Sequence, residues 1–227
     1  MSDFTSRIHT SPRAILFDFD GVLANTENAH VAAWQRTFRR IGLEIGEDTC
    51  TRAVEEDDRS FFRSVLQDRD LSTLDLEGWV RWKQNLTCAM LRHGDWLYDG
   101  AKPLVQALAM RGLMLGIVTS TNLASVEAVL GSAGLLDRFA VIVAQEDVDK
   151  PKPESQGYLL ALQRMNLPPE AVIALEDSLR GIEAAIDAGI GVIAVGHRLN
   201  EGGWCEGQKY LANFKSLATT LQAMGLE

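Results

Sequence analysis

The run Ala14-Ile15-Leu16-Phe17 has the length and β-propensity of a buried strand, and it ends abruptly in Asp18-Phe19-Asp20-Gly21-Val22-Leu23. No other stretch limits the fold so strongly. A buried strand gains nothing by ending in paired carboxylates, because like charges raise one another's pKa and desolvation adds to the cost. A compensating positive charge is expected there, and a divalent cation with oxygen ligands is the natural candidate. An Asp pair also suits a turn or the cap of a following helix. The rest of the chain has to decide between these readings.

After Gly21 the pattern changes. From about Asn28 to Trp96 the chain gives helical spacings and no convincing strand. Val31, Trp34, Phe38 and Ile41 fall on one helix face; Phe61, Phe62, Val65 and Leu66 continue; Trp79, Trp82, Leu86, Met90 and Leu91 complete a third segment. This reads as a small helical bundle inserted after the first strand. From Asp99 onward helices and strands alternate, with strands expected at 113–118, 140–144, 171–175 and 191–195, a weak strand near Tyr210-Leu211 and a closing helix near 215–224. Such alternation predicts an α/β fold with a parallel sheet covered on both faces. Residues 1–27 and 99–227 then form the core, and 28–98 the insert. Open sheets of this kind bind ligands outside the carboxyl ends of their strands. Asp18, Asp20, Thr119, the loop holding Lys150, and Glu176 with Asp177 all sit at or just past such ends, so several strand tips can deliver carboxylates, a hydroxyl and an ammonium to one crevice.

Composition narrows the partners. With 31 acidic against 22 basic residues the formal net charge is −9, which argues against a nucleic-acid surface. It leaves a phosphorylated substrate open, because a metal and a few local cations can invert the field inside a cleft. Cys50, Cys88 and Cys205 lie far apart and give neither a disulfide framework nor metal-binding spacing, so a reduced, cytoplasmic setting is expected. No apolar run is long enough to span a bilayer, and residues 1–9 lack the apolar core of a secretory signal; they read as a short leader. Neither a membrane nor a nucleic acid is expected as a partner. A monomer is the expected state, with a dimer as the alternative.

Four motifs in order carry a resemblance: Asp18-Phe19-Asp20-Gly21-Val22-Leu23 with Thr26-Glu27; Val118-Thr119-Ser120; Lys150-Pro151-Lys152-Pro153-Glu154; and Ala174-Leu175-Glu176-Asp177-Ser178 with Gly181-Ile182 and Ala184-Ala185. The chain resembles the haloacid dehalogenase superfamily of phosphohydrolases, in the branch with a small helical cap that holds sugar-phosphate phosphatases and β-phosphoglucomutase. The resemblance implies a Rossmann-like core and a site centred on Asp18. Asp18 would be the nucleophile, giving an aspartyl-phosphate. Asp20 would protonate the leaving oxygen and later deprotonate water. Thr119, with Gly21 and the Ser120-Thr121-Asn122 turn, would hold phosphate oxygens. Glu176 and Asp177 would hold Mg²⁺ together with the Asp18 carboxylate and the Asp20 backbone carbonyl. Lys150 is favoured as the neutralising ammonium because the Lys-Pro-x-Pro-Glu spacing starts there, with Lys152 as the competing lysine. Gly181, costly inside a helix, suggests close packing against the sheet.

By the same resemblance the insert would close over the cleft and exclude water. His30 and Lys83 match positions that contact substrate in relatives. Asn25 stands where most relatives carry an aspartate. The acidic run Glu55-Glu56-Asp57-Asp58 falls where the mutase carries an arginine for a second phosphate, although Arg52, Arg59 and Arg63 are near. The presence of Asp20 disfavours carbon–halogen chemistry, since the true dehalogenases lack an aspartate at that position. A Mg²⁺-dependent phosphatase of a small phosphorylated metabolite, such as a sugar phosphate, is the expectation. The rivals are a phosphomutase on the same nucleophile, then a non-catalytic binding protein or a dehalogenase.

Overall fold

The computed structural model describes residues 12–51, 58–67, 75–197 and 209–226. The leader expected at residues 1–9, Cys205, Arg52 and the acidic residues Glu55, Glu56 and Asp57 lie outside the described residues. Internal contacts divide the chain into two compact units, Met1–Asn25 with Trp96–Glu227, and Thr26–Asp95. Helices α1 (Glu27–Arg40), α2 (Glu47–Thr51), α3 (Asp58–Val65) and α4 (Leu76–Leu91) belong to the second; α5 (Ala101–Met110), α6 (Leu123–Ala133), α7 (Gln156–Met165), α8 (Leu179–Asp187) and α9 (Leu217–Ala223) belong to the first.

The larger unit holds strands β1 (Ala14–Phe17), β2 (Met114–Val118), β3 (Val141–Val143), β4 (Val172–Glu176), β5 (Gly191–Val195) and β6 (Lys209–Leu211). They form one parallel sheet in the order β3-β2-β1-β4-β5-β6. Every residue of β1 and β4 is buried. Strands covered on both faces need side chains that are apolar on both, which is why these two read as unbroken apolar runs and not as alternations. Around them Val118, Tyr158, Ala161, Leu162, Ile182, Ala185 and Ile190 pack into one core that ties α7 and α8 to the sheet.

The topology places the site. From β1 the chain steps outward through β2 to β3, then returns to the other flank of β1 for β4, so the order reverses at β1 and a crevice opens between β1 and β4. The register is level there: Phe17 lies opposite Ile117 on one side and Leu175 on the other. Asp18 extends the ladder by donating its N–H to the Leu175 carbonyl at 2.9 Å, and Thr119 does the same to Val143 at 3.0 Å. Asp18, Thr119 and Glu176 therefore leave the sheet at nearly one height.

The smaller unit is helical, with an aromatic centre. Trp34 and Phe38 of α1 and Phe61 and Phe62 of α3 are fully buried. Trp34 stacks on Phe38 at 5.3 Å, Phe38 on Phe62 at 5.4 Å, and Phe61 meets the Trp34 edge at 5.1 Å. Each such pair adds about 0.5–1.5 kcal/mol beyond area burial. Helix α4 starts at Asp75, whose side chain accepts the Gly78 N–H at 2.9 Å. The pattern missed α2, which is too short to show a helical period. Among the described residues no helix is long and apolar enough to cross a membrane.

Candidate active site

The turn after β1 is closed by its own backbone. Leu23 and Ala24 donate their N–H groups to Phe19, and Gly21 donates to Ala24 at 2.8 Å. Gly21 sits at φ 84°, a left-handed conformation that an L side chain resists. The Gly21 amide, expected to contact a phosphate, is engaged within the turn. The tight loop brings Asp20 back beside Asp18, and Thr121 Oγ1 donates a short hydrogen bond to Asp20 Oδ2.

The β2 tip divides its labour in a way the residue types alone do not show. Thr119 is buried, and its hydroxyl oxygen accepts the Thr121 N–H at 3.0 Å, which leaves the hydroxyl proton available to an oxygen ligand. Ser120 is exposed. Asn122, expected among the phosphate contacts, is the N-cap of α6, its side-chain oxygen accepting the Ser125 N–H at 3.0 Å. At the β4 tip the capping role falls to Ser178, whose hydroxyl accepts the Gly181 N–H at 3.0 Å. That relieves Asp177, which is buried next to it, of any capping role at α8.

The lysine of the site is Lys152. Its ammonium donates to Glu176 Oε1 at 2.6 Å, Asp18 Oδ1 at 2.7 Å and the Val118 carbonyl at 2.9 Å, which uses all three of its protons. Lys150, favoured from the spacing of the prolines, is exposed; its backbone N–H is held by the Gln156 side chain at 2.8 Å. The reason is the path of the loop. Two residues before Lys152 the loop lies at the surface, and the Lys150 side chain is exposed there. Arg180, which the sequence reading passed over, grips the Lys152 backbone carbonyl through Nε at 3.1 Å and through a shorter contact from Nη2.

Around Lys152 the carboxylates are dense. One ligand oxygen from each of Asp18, Glu176 and Asp177 lies within 4.8 Å of the others, and all three residues are buried. Burial pushes the Asp18 and Glu176 carboxyls up, Glu176 to about 8, with Lys152 opposing the rise in both. For Lys152 burial acts downward, but Asp18 and Glu176 outweigh it and hold the ammonium above its ordinary value. One ammonium facing three carboxylates leaves a deficit of positive charge. Glu176 Oε2 is buried and makes no hydrogen bond. A buried carboxyl oxygen of that kind, beside two further carboxylates, fits a hard divalent cation, whose charge would favour the ionised form. The Asp20 side chain is not part of this oxygen cluster.

Gly181 has a sharper purpose than general packing. A Cβ there would collide with the Glu176 carboxylate, so the bare backbone of α8 leaves the space that this side chain occupies. The missed partner of Glu176 is Tyr158 on α7, fully buried, which donates its hydroxyl to Oε1 at 2.5 Å. The signal was present: Tyr158 shares an apolar helical stripe with Ala161, Leu162 and Met165, and a tyrosine in such a stripe needs a buried acceptor.

His30 and Lys83 meet inside the smaller unit. Lys83, 1% exposed, donates to Asp58 Oδ1 at 2.5 Å and lies 3.0 Å from His30 Nδ1, while Gln84 donates to Asp58 Oδ2 at 3.1 Å. Burial raises the Asp58 carboxyl, but Lys83 and then His30 outweigh it and hold it below its usual range. Lys83 is thus an ion-paired ammonium, and Asp58, the described end of the acidic run, is its counter-ion.

The family profile described as haloacid dehalogenase-like hydrolase matches residues 15–195. Protein CbbY of Cereibacter sphaeroides is 35% identical over 188 residues, covering 78% of this chain and 81% of the relative. A phosphorylated carbohydrates phosphatase of Thermotoga maritima is 29% identical over 194 residues, covering 83% and 88%. The crystal structure of CbbY from Rhodobacter sphaeroides in complex with phosphate superposes with a TM-score of 0.82 at 30% identity, over 91% of this chain and 96% of that one. With the profile spanning most of the sheet and both carboxylate-bearing strand tips inside the match, the chain belongs to the haloacid dehalogenase-like hydrolase family.

Proposed function

We propose that this protein is a Mg²⁺-dependent phosphatase of a small phosphorylated metabolite, a sugar phosphate before others, working in the cytoplasm through a phosphorylated Asp18. The observation that carries the reading is the convergence of Asp18, Asp20, Thr119, Lys152, Glu176 and Asp177 on one end of one sheet. The phosphorylated-carbohydrate activity named for the Thermotoga relative supports the substrate class.

Asp18, oriented by the Lys152 ammonium on Oδ1, attacks phosphorus; a bond forms from its carboxylate to phosphorus as the bond to the substrate oxygen breaks. Asp20, two residues on and steadied by Thr121, delivers a proton to that departing oxygen. It then takes a proton from the water that displaces phosphate from Asp18. The Thr119 hydroxyl donates to a phosphoryl oxygen. Asp18, Glu176, Asp177 and the Asp20 carbonyl would hold Mg²⁺, which when bound supplies the positive charge that lets a carboxylate approach a phosphate dianion.

The test is phosphate release from a panel of sugar and other small phosphomonoesters, with Mg²⁺, with chelator, and with Asp18→Asn as control. Release that needs both the metal and Asp18 is the expected result. Sugar-phosphate isomerisation that requires a bisphosphate, without release, would replace the phosphatase by a mutase.

A further inference from the structure

We propose that Tyr158 is a positioning residue that commits Glu176 to metal binding by occupying one of its oxygens and leaving the other free; the inference rests on the metal-dependent reading above. Glu176 Oε1 receives two donors, Lys152 Nζ at 2.6 Å and the Tyr158 hydroxyl at 2.5 Å. Oε2, buried in the same place, receives none. The asymmetry belongs to the fold. Tyr158 projects from α7, which packs on β2 and β3, whereas Glu176 ends β4, so the two are fixed by different elements and meet at a set distance. On the opposite side the missing Cβ of Gly181 leaves room for the carboxylate.

Tyr158 also steadies the neighbouring cation. Its ring centroid lies 5.4 Å from Lys152 Nζ, within cation–π range. Lys152 by itself cannot fix Glu176, because the ammonium is shared with Asp18 and could draw Oε1 toward the nucleophile. The phenol hydroxyl pulls from α7 and keeps that oxygen in place. Partners of this kind, which orient a ligand without touching the metal, typically change metal affinity by about 10–100-fold when removed.

The experiment is calorimetric titration of Mg²⁺ into substrate-free protein, comparing wild type, Tyr158→Phe and Asp177→Asn. Phenylalanine keeps the ring and removes only the hydroxyl. The expected result is about tenfold weaker Mg²⁺ binding in Tyr158→Phe, with excess Mg²⁺ restoring most of kcat and leaving the substrate KM little changed. Wild-type affinity in Tyr158→Phe, with binding abolished in Asp177→Asn, would overturn the role of Tyr158 and leave the metal site standing. Undiminished binding in Asp177→Asn would overturn the metal-site reading and this inference with it. Should Tyr158→Phe not fold, the wild-type near-ultraviolet spectrum decides: Mg²⁺ should perturb a tyrosine band, and an unchanged tyrosine spectrum at saturating metal would sink the idea.

Discussion

Replacing Lys152 by alanine should cripple the enzyme, whereas the same change at Lys150 should hardly be noticed. The Lys152 ammonium stands 2.7 Å from Asp18 and 2.6 Å from Glu176, with its side chain 12% exposed. At an effective dielectric of about 20, each contact carries roughly 6 kcal/mol of gross attraction, about 12 kcal/mol for the two. Desolvating the ammonium offsets several kcal/mol of this. What matters for the variant is the residue left behind: breaking a buried ion pair from one side typically costs about 3–5 kcal/mol, because the remaining charges stay buried without a partner. In Lys152→Ala, three carboxylates would face one another with no cation from the chain, so the melting temperature in chelator should fall markedly and recover in part when Mg²⁺ is added. Catalysis should fall by at least about 10²–10³-fold, the usual loss when a preorganised electrostatic contact to the reacting group is removed. Lys150 is exposed, so its replacement should change stability by no more than about 0.5 kcal/mol and leave the rate close to wild type. The assay is phosphate release from the best substrate of the panel, with thermal melts in chelator and in Mg²⁺. A Lys152→Ala enzyme within tenfold of wild type, or a Lys150→Ala enzyme that loses activity, would refute the assignment.

Other consequences can be checked with single variants. Gly181→Ala should destabilise the protein by about 1–3 kcal/mol, because the new Cβ strikes the held Glu176 carboxylate, although helix propensity alone predicts a gain of about 1 kcal/mol; chemical denaturation reads the sign directly. Asp58→Asn should cost about 3–5 kcal/mol by leaving Lys83 buried without its counter-ion, and adding Lys83→Met should return part of it, as a double-mutant cycle would show. The Asp58 carboxyl is held below its ordinary 3.8 in the folded protein, so its contribution is fully present above that pH and is lost as the pH falls through the lower folded value. Acid unfolding of the wild type should therefore steepen below about pH 4, and Asp58→Asn should lack that component. Thr121→Val removes the hydroxyl that steadies Asp20 and should lower kcat about tenfold with little change in KM, while Thr121→Ser should recover most of it; equal kcat in Thr121→Val would show that Asp20 needs no such support.

Much of the fold was legible because it is written in local patterns. A parallel sheet buried on both faces demands apolar runs, so β1 and β4 stood out, and their ends could be read to within a residue. The carboxylates at those ends were conspicuous for the opposite reason, since a charged pair closing a buried strand needs an explanation. Helix α2 was invisible because five residues make little more than one turn. Asn122 and Ser178 cap α6 and α8, a role their residue types share with ligands, and the hydrogen bonds from Ser125 and Gly181 establish it.

By itself the sequence determined that an α/β chain with a helical insert would gather Asp18, Asp20, Thr119, Glu176 and Asp177 at the carboxyl ends of its strands. Topology follows from element order, and the strand tips are counted along the chain. Only the tertiary structure decided which lysine joins them, which tyrosine holds Glu176, why residue 181 is a glycine, and that Lys83 is paired with Asp58. Three of those answers depend on distances between residues well separated in the chain, such as the 24 positions between Lys152 and Glu176, and the fourth on how α8 comes back over the Glu176 side chain; a reading along the chain contains no such distance.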